Sequence, residues 1–155
     1  MRKFLTLLTG GLFLALLSGC PSTRMTMNSR AMEPTLPLSS SIAVDTAAYQ
    51  NRSPERYDVI IFEYKSKSSA VPIQQPPDGA EICYRIIGLP GETVDIEANG
   101  ILINGAPADL PSDLSYNPAP ISEQYRRFNS LTLPADGYFV LGDNTDKALD
   151  SRYWG

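Results

Sequence analysis

The chain has no histidine. That absence removes a Ser-His-Asp triad, a Cys-His pair and the common zinc sites together. Any general base must then be lysine, aspartate, glutamate, tyrosine or a terminal amine. The two cysteines, Cys20 and Cys83, have a spacing that suggests neither a metal site nor a disulfide framework, so no metal and no cofactor is expected. Charge is dense in the last stretch, where Asp143, Asp146, Asp150 and Arg152 follow Gly142. That is too much charge for a core strand. On pattern alone it is a solvated loop over a surface or a cleft.

The elements that must position these residues read as strands. The 155 residues make room for one domain. Thirteen prolines and eleven glycines, with many β-branched and aromatic residues, argue for short strands and many turns. Ser41–Asp45 alternates like a strand, and Tyr57–Tyr64 is apolar almost throughout, as in a strand covered on both faces. Glu81–Leu89 is a strand ended by Pro90-Gly91, and Glu92–Ile96 is the next. Asn99-Gly100 predicts a hairpin into Ile101–Ile103, and Asn104-Gly105 turns again. The segments 65–80 and 106–129 read as excursions rich in proline and small polar residues. Leu131–Leu133, the turn Pro134–Gly137 and the buried strand Tyr138–Leu141 then predict a closing hairpin. No segment beyond the N-terminus shows a sustained helical period, and no internal repeat is present.

Net charge is −4, which disfavours nucleic acid as a partner and leaves no basic patch for anionic lipid. The N-terminus supplies another route to a membrane. Met1–Lys3 is basic, Phe4–Leu17 is apolar, and Ser18-Gly-Cys20 closes the run. An apolar span of about 14 to 16 residues falls short of the roughly 20 that a spanning helix needs, and fits a leader better. Leu17-Ser-Gly-Cys20 resembles the bacterial lipobox. That resemblance implies a lipoprotein-type signal over residues 1–19, lipidation of Cys20 as the new N-terminus, and a polar tether over 20–28. Removing Arg2 and Lys3 makes the chain two charges more negative. The alternative is an uncleaved signal anchor. Either way the domain lies outside the cytosol in a bacterial cell envelope, on the periplasmic or extracytoplasmic face, and the first reading holds it to a membrane by a lipid anchor.

Gly142-Asp-Asn followed by Asp150-Ser-Arg-Tyr-Trp-Gly155 resembles the C-terminal signature box of type I signal peptidases (peptidase S26), membrane-bound serine endopeptidases that remove secretory signal peptides. Three further stretches agree in order. Asn28-Ser-Arg-Ala-Met-Glu-Pro-Thr-Leu36 is similar to the first box, Tyr57-Asp-Val-Ile-Ile-Phe62 more loosely to the second, and Tyr84-Arg-Ile-Ile-Gly-Leu-Pro-Gly-Glu92 to the third. Over residues 29–155 the resemblance implies an all-β, signal-peptidase-like fold of coiled antiparallel sheets in a small single domain. Family members continue past the position of Gly155 with a further strand or two, which leaves a truncated chain as one reading.

The resemblance also assigns roles. The family uses a serine nucleophile and a lysine base, and the amine works only when apolar burial lowers its pKa from near 10.4. Here the nucleophile position holds Ala31, and a methyl group cannot attack a carbonyl. The base position holds Tyr84, a phenol that is protonated at neutral pH. A serine that helps hold the lysine is replaced by Ala148. Ser29 matches an earlier serine that contributes to the oxyanion hole in some members. Arg85, Asp143, Asp150 and Arg152 match a buried charge network that would brace the last loop. A peptide-binding set of Ser29, Ala31, Met32, Ile82 and Tyr84 is implied beside them.

The turns and strand ends of the family are therefore kept, while three polar groups at the reaction centre are gone. The first expectation is a membrane-anchored, inactive relative that still binds an extended peptide or the signal peptide of an exported protein by strand addition. The second is an active endopeptidase with a relocated centre, in which Ser29 attacks and Lys147 serves as base. The third is a structural or interaction lipoprotein. Cys83 fits a small core residue better than a nucleophile, because its neighbour on the strand, Tyr84, points to the opposite face.

Overall fold

The structure is a computed structural model, and it describes residues 2–4, 22–65, 76–97, 100–116 and 130–154. Ten strands and one short helix occur among the described residues: β1 Arg2–Phe4, β2 Ser22–Thr26, β3 Ser41–Asp45, β4 Val59–Glu63, β5 Glu81–Gly88, β6 Thr93–Glu97, β7 Gly100–Ile103, β8 Ala106–Pro107, β9 Ser130–Thr132, β10 Phe139–Leu141 and α1 Ser151–Trp154. They build a six-stranded sheet ordered β10-β5-β4-β1-β3-β2 and a four-stranded sheet ordered β8-β7-β6-β9. Every strand pair in both is antiparallel. The fold is thus all-β, with antiparallel sheets in one small domain.

The two sheets share a wall. β10 alternates in its burial, with Phe139 and Leu141 in the core of the smaller sheet and Val140 in the core of the larger one. β5 does the same, sending Ile86 to one side and Ile87 to the other, both fully buried. This is the period of two of a strand covered on both faces. Fully burying one such isoleucine contributes about 1.5–3 kcal/mol, so β5 and β10 anchor both cores at once. The expected Asn104-Gly105 turn is present, with both residues at positive φ (52° and 80°) between β7 and β8, the backbone a tight hairpin turn requires.

Four sequence expectations change. The stretch read as a tether is β2, paired with β3 along its whole length from Ser22↔Asp45 to Thr26↔Ser41. Its polar composition suits an edge strand as well as a linker, and composition alone does not separate the two. The closing hairpin is absent: β9 pairs with β6 and β10 with β5, so the Pro134–Gly137 turn carries the chain from one sheet to the other. The charged last loop ends in the helical turn α1, too short to leave a periodic signal. Lastly, Arg2–Phe4, within the segment read as a leader, lies between β3 and β4 as β1. A chain processed at Cys20 would lose that strand and leave β3 and β4 each paired on one side. Cys20 lies outside the described residues, as do most of the two excursions and Asn99. Among the described residues no helix is long and apolar enough to cross a membrane.

Candidate functional site

A groove of about 550 Å³ opens between the β2 end of the larger sheet and the first half of β5. Met25, Met27, Asn28, Ser29 and Ala31 line it from the first part of the chain, and Ile82, Cys83, Tyr84, Lys147 and Leu149 from β5 and the last loop. Pro76, Pro77 and Glu81 also line it. Of the implied peptide-binding residues, Ser29, Ala31, Ile82 and Tyr84 are therefore in one place. Met32 is not: it is completely buried in the core, and its contribution is packing. Sequence reasoning missed Met25 and Met27. Their spacing of two was the available signal, since alternate residues of a strand share a face.

Ala31, Tyr84 and Ala148 lie close together. Asn144 N–H donates to the Ala31 carbonyl at 2.9 Å, tying the first box to the fourth. Gly142 packs into the same corner. A Cβ there would sit 2.4 Å from the Ala148 methyl and 2.5 Å from the Ala31 carbonyl oxygen, which explains why this position takes glycine. Tyr84 Oη donates to the Leu149 carbonyl at 3.0 Å, beside Ala148. Burial, then the negative charge of Asp150, push the Tyr84 phenol above its ordinary value, so it stays a donor.

The remaining candidates lack what the chemistry needs. Ser29 is exposed, and its Oγ accepts from the Ala31 N–H at 3.1 Å, a local turn bond. Lys147 lines the same groove but is exposed to water, without the apolar burial that a lysine base requires. Cys83 also lines the groove, and burial pushes its thiol up to about 12, away from the thiolate a nucleophile needs. Among the described residues no group of three or more histidine, cysteine, aspartate or glutamate side chains could hold a metal.

The four charged residues form two buried units. In one, Arg85 holds Asp143 with two bonds, Nε to Oδ1 at 2.7 Å and Nη2 to Oδ2 at 2.6 Å, and reaches the Tyr57 carbonyl at 3.0 Å with Nη1. Thr35 Oγ1 donates to the same carboxylate, a link the sequence reading did not assign. In the other unit, Arg152 Nε and Nη2 hold Asp150 at 2.7 and 3.0 Å, and Nη2 also reaches the Thr145 carbonyl at 2.7 Å. Gly142 N–H donates to Asp150 at 3.2 Å. Both carboxylates are fully buried, and together the units fix both ends of the last loop.

β5 lines the groove along its first half, and β2 is the end strand of the same sheet. Ile86 N–H donates to the Asp58 carbonyl and Tyr64 N–H to the Ala80 carbonyl. Even-numbered residues of β5 thus turn their polar backbone groups toward β4, and odd-numbered ones turn away. β10 meets β5 from Arg85 onward, so at Cys83 those groups face the groove. Across from it β2 ends the sheet.

The sequence is similar to those of known proteins. The chain is 33% identical over 132 residues to the signal peptidase I of Leptolyngbya laminosa, covering 82% of this chain and 58% of that protein. It is 33% identical over 127 residues to the probable signal peptidase I-2 of a Synechocystis strain, covering 82% and 53%. The chain thus spans little more than half the length of these relatives. The crystal structure of a signal peptidase I from Enterococcus faecalis V583 aligns with a TM-score of 0.47 at 32% identity, covering 67% of this chain and 88% of that one. Residues 1–155 match the family described as signal peptidase, peptidase S26, and the chain belongs to that family.

Proposed function

We propose that the chain is a catalytically silent signal peptidase relative that binds an extended peptide, of the kind found in signal peptides of exported proteins, and is held at an envelope membrane by a lipid on Cys20. One observation carries the reading: Ala31 and Tyr84 line the same groove as the first half of β5 and the end of β2, with Ala148 buried beside Ala31 at Gly142. Binding an extended peptide by strand addition uses backbone N–H and C=O groups and needs no nucleophile. Hydrolysis by this family's chemistry needs a hydroxyl and a neutral amine together, and loss of either group lowers the rate by orders of magnitude.

The competing reading, an endopeptidase using Ser29, draws on the presence of Ser29 and Lys147 in the same groove. Two measurements separate the readings. A peptide with an Ala-X-Ala core, titrated into labelled protein, should shift NMR signals near Ala31 and Tyr84. A signal-peptide substrate should stay intact with the wild type and with Ala31→Ser, because the base is still missing. Turnover by the wild type that disappears in Ser29→Ala establishes the endopeptidase instead. An absence of shifts near Ala31 and Tyr84 favours a structural or interaction lipoprotein.

A further inference from the structure

β1 lies inside the larger sheet, yet it comes from the segment that a cut at Cys20 removes. Both of its neighbours are antiparallel to it, so β3 and β4 run in the same direction. Without β1 they would face each other across two strand spacings, about 9–10 Å. Closing that gap would require a parallel pair, whereas every strand pair among the described residues is antiparallel.

The two sides of the gap are also held where they are. β3 is paired on its far side with β2, from Ser22↔Asp45 to Thr26↔Ser41, and β4 on its far side with β5, from Val59↔Arg85 to Glu63↔Glu81. The connection 46–58 between them is tied down at both ends. Ala47 N–H donates to Asp45 Oδ1 at 2.8 Å. The buried Asp58 carboxylate accepts from Tyr49 Oη at 2.9 Å, and from Arg52 Nη2 and the Glu55 N–H at 3.2 Å each. Losing β1 therefore leaves two facing, unpaired edges on apolar strands, and such edges are templates for pairing with another chain.

The strand seen in the gap gives the chemistry of what fits it. Lys3 is opposite Asp45 on β3 and Ile60 on β4, Phe4 is opposite Val44, and Arg2 is opposite Ile61. A basic residue directly opposite an aspartate is a favourable cross-strand pair. The cut also removes two positive charges from an acidic chain, which favours a basic incomer.

We propose, resting on the reading that Cys20 becomes the lipidated N-terminus, that processing opens the gap between β3 and β4 as a second strand-accepting site, apart from the groove at β5. It takes an extended segment of another envelope polypeptide, antiparallel to both edges, with a basic residue at the position of Lys3 and an apolar one at that of Phe4.

The test uses the labelled hexapeptide Met-Arg-Lys-Phe-Leu-Thr, titrated in detergent into the full chain and into the full chain carrying Lys3→Pro. Proline cannot stay in the middle of a sheet, so the variant releases its own β1. The peptide should bind the variant about tenfold or more tighter than the wild type, whose gap is filled. The same peptide with Lys3→Glu should bind the variant about fivefold or more weakly, because like charges then meet at Asp45. Lys3→Glu in the chain, a milder release of β1, replaces a proline variant that does not fold. Equal binding to wild type and variant, or no binding to a folded variant, overturns the inference. Mass spectrometry of the protein taken from membranes tests the underlying reading separately. A chain that keeps Met1 overturns the lipid reading and the opening of the gap with it. A chain that starts at Cys20 but co-purifies with its own residues 1–19 has the leader as occupant, which overturns the proposed partner.

Discussion

Replacing Arg152 by alanine tests the energetics of the last loop. Arg152 is 1% exposed and Asp150 is fully buried. The guanidinium makes two bonds to that carboxylate and one to the Thr145 carbonyl. The substitution therefore strands a buried carboxylate, and removing one partner of such a pair costs about 3–5 kcal/mol. A domain of this size is stabilised by about 5–15 kcal/mol in total, so the loss is a large share. At about 2–4 °C per kcal/mol, the melting temperature should fall by about 6–20 °C.

The pH dependence gives the sharper check. Burial pushes the Asp150 carboxyl up, while the Arg152 guanidinium and the N–H groups of Gly142 and Arg152 pull it back. Without the guanidinium the carboxyl moves further up in the folded variant. The folded variant then binds a proton that the unfolded chain releases, and such a group contributes stability at low pH that is lost as pH rises. The deficit of Arg152→Ala should therefore shrink as pH is lowered from 7 toward 5, read by calorimetry or thermal denaturation monitored by circular dichroism. Arg152→Lys, which keeps the charge but not the fork geometry, should lose less. An unchanged melting curve at pH 7, or a deficit that grows on acidification, refutes the argument.

Two other substitutions or probes follow from the same corner of the fold. Gly142→Ala should lower stability by about 1–3 kcal/mol or more in urea denaturation, because the new methyl meets the Ala31 carbonyl and the Ala148 methyl; a variant as stable as the wild type argues against that packing. Cys83, its thiol pushed up to about 12 by burial, should resist a thiol reagent at pH 8, where thiolate is on the order of one part in ten thousand, and react fully in denaturant. Rapid labelling of the native protein would place the thiol in a different environment.

Much of this site could be read from the sequence because its boxes are built on local rules. Proline and glycine turns and the Arg85 and Asp143 positions stand in the residues themselves. What could not be read is pairing at a distance. The Pro134–Gly137 turn looks the same whether it joins two strands of one sheet or passes between sheets, and only the partners of β9 and β10 decide. Sequence leaves the four charged residues as one network, whereas three-dimensional position divides them into Arg85 with Asp143 and Asp150 with Arg152. The polar stretch after Cys20 reads as a linker because edge strands and linkers share a composition. Met32 adjoins Ala31 in sequence yet is completely buried in the core, because adjacent residues of a turn need not face the same way.

The correction at β2 sets a height. Ser22 is already paired with Asp45, so a lipid on Cys20 would be joined to the body of the domain by a leash of two residues. Met25, which lines the groove, is five residues from that cysteine, at most about 18 Å along an extended chain. A domain moored so closely has little freedom to roam or tilt. Its groove would graze the bilayer, and the segments within its grasp would be those just emerging from the lipid.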